Sequence, residues 1–335
     1  MIALKKGITP HYRRSESVRE MMADMLIPLA LLLVIPVVNH GARPLVVVGI
    51  CMLTCLLCEV VFCLFTGHDV MVSDLSFAVT GSIVAMLLPV NVPFRVAVIA
   101  CAFAVLVVKM PFGGTGRAPF NPAAAGVAFV TLSFPSLVFS YRDPSSTVAM
   151  LPFASSPVAE TVSSPAALLQ EGARPALLQE EMLLGHFAGP MGATAVLVIA
   201  ACALYLVFRR SARWEIMASF VGASALFAAV FPRLNTGRLD SVLFELLSGS
   251  LVFCAVFMAT EPSTSPKTPL GRCLFGFLAG VTTMLFRYYG VYEQGGCFAL
   301  LLVNALSSSL DRLSWWIADR TEGRKPVSEG GAARD

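Results

Sequence analysis

The chain has 335 residues, of which 56% are hydrophobic and only 13% charged, and its mean hydropathy is +0.76. Soluble domains carry roughly a quarter charged residues, so a soluble enzyme is excluded and an all-α polytopic membrane protein is predicted. The formal net charge of +3 reflects topology and gives no sign of a nucleic-acid partner.

A membrane-spanning helix needs about 20 mostly apolar residues. Ten runs approach that description: residues 22–38, 44–65, 73–90, 94–110, 120–135, 190–208, 214–231, 241–259, 270–287 and 295–310. The first follows a polar segment, 1–21, and ends in Val37-Val38-Asn39-His40 without a small-residue cleavage site, so it reads as a retained anchor. The second contains Cys51, Cys55, Cys58 and Cys63. The cysteines and the four histidines form no cluster with zinc spacing, and the cysteines read as small buried hydrophobes. No metal site is expected.

The third run opens on Asp74. Between the fourth and fifth lies Phe112-Gly113-Gly114-Thr115-Gly116-Arg117-Ala118-Pro119-Phe120-Asn121-Pro122. Irregular backbone at membrane depth survives only where protein or water covers it. Gly113, Gly114 and Gly116 allow a tight turn and a close approach to a ligand. Arg117 and Asn121 offer donors to an anionic or heteroaromatic group. An ordinary connecting loop and a ligand pocket both remain open readings of this segment.

A long polar segment, 136–189, follows the first five runs and is too short for a core of its own. Five more runs lie beyond it, then a polar tail, 311–335. Because five is odd, the second group must enter the membrane from the opposite face. That predicts two inverted five-helix repeats, 22–135 and 190–310, an architecture that places functional sites between the halves. With the N-terminus inside, 17 of the 24 Lys and Arg fall on the inner side, as the positive-inside rule requires. Both termini are therefore predicted to be cytoplasmic. Glu245 in the eighth run, and Glu261 with Pro262 just after it, are polar groups that mark the inside of the bundle, with a helix-end position snorkelling to the interface an equal reading for Glu245. Such groups are often functional, and Asp74 and Glu245 are candidates for an ion path.

Five blocks in order, covering nearly the whole chain, resemble the D subunit of the Rnf electron-transport complex and the homologous B subunit of the sodium-translocating NADH:quinone reductase. They are TPHYRRSESVREMMADMLIPL, SDLSFAVTGSIVAMLLP, FGGTGRAPFNPAAAG, LLSGSLVFCAVFMATEPSTSPKTPLGRCLFG and FALLLVNALSSSLDR. The resemblance implies a ten-helix subunit of a bacterial inner-membrane complex that couples electron transfer through flavin to Na⁺ or H⁺ movement. Such a subunit is not active alone. Its implied partners are the lipid bilayer and other Rnf-type subunits, membrane and peripheral, including a flavin-bearing G-type subunit. The resemblance also implies a pocket for FMN or riboflavin. Its walls are expected from Gly113, Gly114, Gly116, Arg117, Asn121 and Pro122, faced by Glu261, Pro262 and Thr268, with Arg117 at a phosphate or the pyrimidine edge.

In that family one FMN is joined through its phosphate to a threonine in a motif of an acid, hydroxyl residues and Ala-Thr-Pro-Leu. The local counterpart, Glu160-Thr161-Val162-Ser163-Ser164-Pro165-Ala166-Ala167-Leu168, has Ala166 where the acceptor threonine belongs. Alanine has no oxygen, so a flavin here is expected to be non-covalent, with Ser163 and Ser164 the remaining covalent candidates. Asp143 to Thr147 is a second, poorer hydroxyl-bearing stretch. A cofactor-poor structural subunit is the alternative function. A secondary transporter or channel is the less favoured one.

Overall fold

A computed structural model describes residues 18–67, 74–144, 152–153, 161–234 and 237–321. The apolar runs form helices because hydrocarbon offers no partner for backbone N–H and C=O groups, which must pair within the segment. The first half contains α1 (Val18–His40), α2 (Arg43–Thr66), α3 (Ser76–Leu87), α4 (Phe94–Phe103), α5 (Pro122–Ser133) and a short α6 (Pro135–Val138). Past Phe103, α4 widens into a π-helical turn, Ala104–Lys109, and tightens into a 3₁₀ turn, Met110–Phe112.

In the connecting segment, β1 (Tyr141–Arg142) pairs antiparallel with β2 (Thr161–Val162). Two short helices follow, α7 (Pro165–Gln170) and α8 (Gln179–Leu184). The second half comprises α9 (Val196–Phe208), α10 (Trp214–Val230), α11 (Arg238–Leu247), α12 (Leu251–Phe253) with a π-helical turn at Cys254–Met258, α13 (Pro269–Tyr289) and α14 (Gly296–Thr321).

Each of the ten expected runs coincides with an apolar helical segment. By length and composition, α1, α2, α13 and Phe94–Phe112 can each cross a membrane. Two further passages are bent pairs: Arg238–Leu247 with Leu251–Met258 at 65°, and Gly296–Asn304 with Ser307–Arg320 at 57°. The other four, α3, α5, α9 and α10, are shorter than a full span. The run expected at 190–208 is helical only from Val196. Before it, Met191 and Gly192 donate backbone N–H groups to the carbonyls of Leu88 (3.1 Å) and Met86 (2.8 Å). They thereby satisfy carbonyls that the short α3 leaves without partners. A side chain at Gly192 would sit 2.5 Å from the Met86 sulfur, so only glycine permits this approach. The protein is a multi-pass all-α membrane protein, with one large apolar core from Met25 to Leu310.

Polar contacts fix the helix directions. Asp24 near the start of α1 pairs with Arg209 after the end of α9 (2.8 Å). Glu59 late in α2 pairs with Lys109 at the end of the first π turn. Asn121 at the start of α5 meets Met258 at the end of the second π turn. Glu215 at the start of α10 pairs with Arg272 at the start of α13, and Asp311 in the last part of α14 meets Thr268. All these residues gather at one end, called the cavity end below. Taken in chain order, α1 to α5 each run opposite to their counterparts α9, α10, α12, α13 and α14.

Candidate functional site

Three breaks in helical structure meet at the cavity end: the glycine turn after α4, the start of α5 and the turn after the second π-helical segment. Gly113, Gly114 and Gly116 have φ of 100°, 82° and 83°, values that L side chains resist and glycine accepts. Gly114 N–H donates to the Lys109 carbonyl (3.1 Å), and Gly113 N–H to the Met110 carbonyl (3.0 Å). These bonds bend the chain back on itself immediately after Lys109.

Asn121 then starts α5. Its Oδ1 accepts from Ala124 N–H (2.9 Å), the N-cap bond that satisfies an otherwise unpaired donor, while Pro122 fills the first helical position without losing one. Its Nδ2 donates to the Met258 carbonyl (3.2 Å) in the other half. One buried amide therefore ends one helix break and begins another. π-Helical turns are rare and recur at functional sites. Here the two of them close on the same space.

That space is a cavity of about 250 Å³, at the small end of pockets that hold small molecules. Its apolar walls come from Met22 and Met25 of α1, Val79 and Ile83 of α3, and Phe257. Polar groups enter from Thr80, Lys109, Thr115, Asn121, Thr260, Glu261 and Ser263. Glu261 is half-buried. Desolvation pushes its carboxyl up to about 7, against the opposing effects of a hydrogen bond from Ser263 and the charge of Lys109.

Of the expected pocket residues, Gly114, Gly116, Asn121, Pro122, Glu261 and Pro262 line this cavity. Three of the expected residues do not line it. Arg117 is exposed, and its side chain folds back over Gly113, where a Cβ would lie 2.9 Å from the Arg117 Cδ; the left-handed glycines turn this guanidinium outward. Gly113 shapes the turn without reaching the cavity. Thr268 caps α13, accepting from Gly271 N–H and donating to Asp311 (2.7 Å), and so belongs to a helix terminus.

The two ion-path candidates lie at opposite ends. Asp74 stands beside the cavity, accepting hydrogen bonds from Ser76 and Thr115 (both 2.8 Å). Glu245 is buried at the far end, 3.4 Å from both Arg233 and Arg287. Arg287 also donates to the Glu245 carbonyl (2.8 Å) and to Ser248 Oγ (2.6 Å). Ser164 is buried near this far end, where it caps α7 through Ala167 N–H and donates to Glu293, whereas Ser163 is exposed. Ala166 is buried, its Cβ 3.6 Å from where a side chain at Gly249 would start. Glu160 and residues 145–147 lie outside the described residues.

Sequence reasoning passed over Lys109, which is 3% exposed and bonded to Glu59 and to Ser76 Oγ (2.6 Å). Cys55 and Cys58 stand at C-x-x-C spacing within α2, and the described cysteines are all free. Among the described residues no group of three or more His, Cys, Asp or Glu is placed to hold a metal ion.

Residues 6–315 match the model of the NQR2, RnfD, RnfE family. The chain belongs to that family. It is 30% identical over 309 residues to the D subunit of the Na(+)-translocating ferredoxin:NAD(+) oxidoreductase complex of Acetobacterium woodii, covering 91% of this chain and 92% of that one. It is 31% identical to the D subunit of the ion-translocating oxidoreductase complex of Halorhodospira halophila, covering 94% of each. A third relative, the D subunit of the proton-translocating ferredoxin:NAD(+) oxidoreductase complex of Clostridium ljungdahlii, is 28% identical over 93% of this chain and 96% of its own length. The family resemblance carried by the five sequence blocks is borne out along the same span. Within the family frame, the glycine turn and the Asn121-Pro122 cap form one wall of the cavity.

Proposed function

We propose that this protein is the membrane subunit of an Rnf-type ion-translocating oxidoreductase complex and that its cavity holds a non-covalent flavin, FMN or riboflavin. The observation that carries the reading is the cavity itself, where apolar walls face one another and hydrogen-bonding groups collect at Lys109, Asn121 and Glu261. This fits a planar heteroaromatic ring with a polar edge, since such sites are mostly apolar with a few placed polar groups. A flavin bound there would supply one- and two-electron transfer. Met22, Met25, Val79, Ile83 and Phe257 exclude water from the ring, while Lys109 and Glu261 address its polar edge.

The relatives are named as subunits of complexes, and this chain is proposed to assemble with other Rnf-type subunits, a flavin-bearing G-type subunit among them. The membrane is proposed to be the bacterial inner membrane, with the cavity end and both termini on the cytoplasmic side. The Lys and Arg distribution supports that orientation. A membrane-impermeant thiol reagent tests it through Lys267→Cys at the exposed cavity-end loop. Labelling only in inverted vesicles is expected, and labelling of intact spheroplasts overturns it.

Ala166 favours a second reading, a structural subunit without flavin. A phosphodiester needs an oxygen that residue 166 lacks, and Ser164 is already engaged with Glu293 and α7. Purification in mild detergent, followed by denaturing extraction and intact mass, separates the readings. Free flavin in the extract with a bare chain mass is the expected result. A bare chain and no flavin supports the structural reading, and an added FMN mass on a peptide containing Ser163 overturns non-covalent binding.

A further inference from the structure

The buried charge beside the cavity has no place in the expectations drawn from sequence. Lys109 is the last residue of the first π-helical turn and lines the cavity, whereas its partner Glu59, on α2, does not. A lysine ammonium has three donors and no acceptor. One goes to Glu59 and one to Ser76 Oγ, whose own hydroxyl donates to Asp74 Oδ1 (2.8 Å). Thr115, also on the cavity wall, donates to the other oxygen of Asp74 (2.8 Å). Glu59 and Ser76 thus hold the ammonium, and Lys109 itself lines the cavity. Arg117, the cation that sequence reading placed here, points outward.

We propose that Lys109 is the ligand-facing cation of the cavity, presented by Glu59 and Ser76, and that it donates to a carbonyl- or imide-type acceptor edge of the bound molecule. The inference rests on the flavin reading and deepens it, since the pyrimidine edge of an isoalloxazine ring carries such acceptors. Lys109 then takes the role expected of Arg117. Glu59 and Ser76 are positioning residues that act through it. A cation fixed at this edge favours the ligand more when the ligand carries extra negative charge, so Lys109 discriminates between oxidised and reduced forms.

The test is riboflavin binding to the 335-residue chain in detergent, followed by fluorescence for the oxidised form and by equilibrium dialysis under dithionite for the reduced form. Lys109→Met alone leaves Glu59 buried without its cation, which can unfold a protein. The paired variant Glu59→Gln/Lys109→Met removes both charges and keeps the volume, a replacement that is often neutral for folding. Hydrogen bonds from charged groups are stronger than neutral ones. The paired variant is therefore expected to keep the wild-type melting transition and to bind oxidised riboflavin about tenfold more weakly or worse. Its loss for the reduced form should be greater, and Lys109→Arg should restore part of both. Equal binding by wild type and the paired variant overturns the assignment of Lys109 and leaves the flavin reading standing. A wild-type chain that binds riboflavin in neither form overturns the flavin reading, and the role of Lys109 with it.

Discussion

The two ends of the bundle hold buried charge in opposite ways. Lys109 closes the α4 passage, and Arg287 lies near the end of α13, its inverted counterpart. At the far end, Arg287 lies 3.4 Å from the Glu245 carboxylate and donates to the Glu245 carbonyl and to Ser248, and Arg233 donates to that carboxylate and to the Arg287 carbonyl. None of these residues lines the cavity. At the cavity end, Lys109 has one carboxylate and one hydroxyl, and it lines the cavity. On the proposed reading, one of these two cations serves cohesion and the other recognition. The fork of an arginine suits the first task and the compact ammonium of a lysine the second.

Single and paired substitutions put this contrast at risk. Arg287→Met leaves Glu245 buried beside Arg233 alone, and breaking a buried pair in this way costs roughly 3–5 kcal/mol. A fall in melting temperature far larger than that of Glu59→Gln/Lys109→Met is expected, and equal falls would erase the distinction between the ends. Asn121→Ala removes an N-cap and the bond to the Met258 carbonyl. A loss of about 1–2 kcal/mol is expected by thermal unfolding in detergent. Because Asn121 lines the cavity, weaker riboflavin binding should accompany it. At the far end, Ser164→Ala deletes the α7 cap and the bond to Glu293. It should cost about 1 kcal/mol and leave riboflavin binding untouched, a result that sharpens the contrast.

The smallest effect expected is a pH slope. The Glu261 carboxyl ionises near 4.5 in an unfolded chain and near 7 in place. Between those values the folded state binds more protons than the unfolded one, so stability falls as pH rises through the window. Glu261→Gln should flatten that part of the melting-temperature profile. Partial exposure through the cavity mouth damps the slope by solvent screening. Parallel profiles for the two proteins would show that Glu261 is not desolvated in solution.

All ten helical passages were legible as apolar runs, because hydrocarbon demands apolar length and internal backbone pairing. Their depth was less legible. Nothing in Ser76 to Leu87 announces that α3 stops after 12 residues, since its last carbonyls are met by Met191 and Gly192, more than a hundred positions away. The glycine turn and Asn121 were readable from local backbone chemistry. The direction of Arg117 was not, because it depends on which way three left-handed glycines aim the chain. Lys109 left a signal that could have been used: Glu59 is the one charge in the run 44–65, Lys109 lies at the opposite end of the run 94–110 from Arg95, and charges at membrane depth pair with one another. A short echo between the halves also went unused, Thr80-Gly81-Ser82-Ile83-Val84 against Ser248-Gly249-Ser250-Leu251-Val252. The first stretch lies within α3, whereas the second spans the bend between α11 and α12, so similar residues serve an unbroken helix in one half and a break in the other.

The bond from Asn121 to Met258 has a consequence for biosynthesis. A chain made from its N-terminus inserts the glycine turn and the beginning of α5 long before residue 258 leaves the ribosome. The wall formed by Phe257, Thr260 and Glu261 does not exist until then. The cavity is therefore completed late, after eight of the ten apolar runs have been made, and any small molecule that occupies it loads into a nearly finished chain.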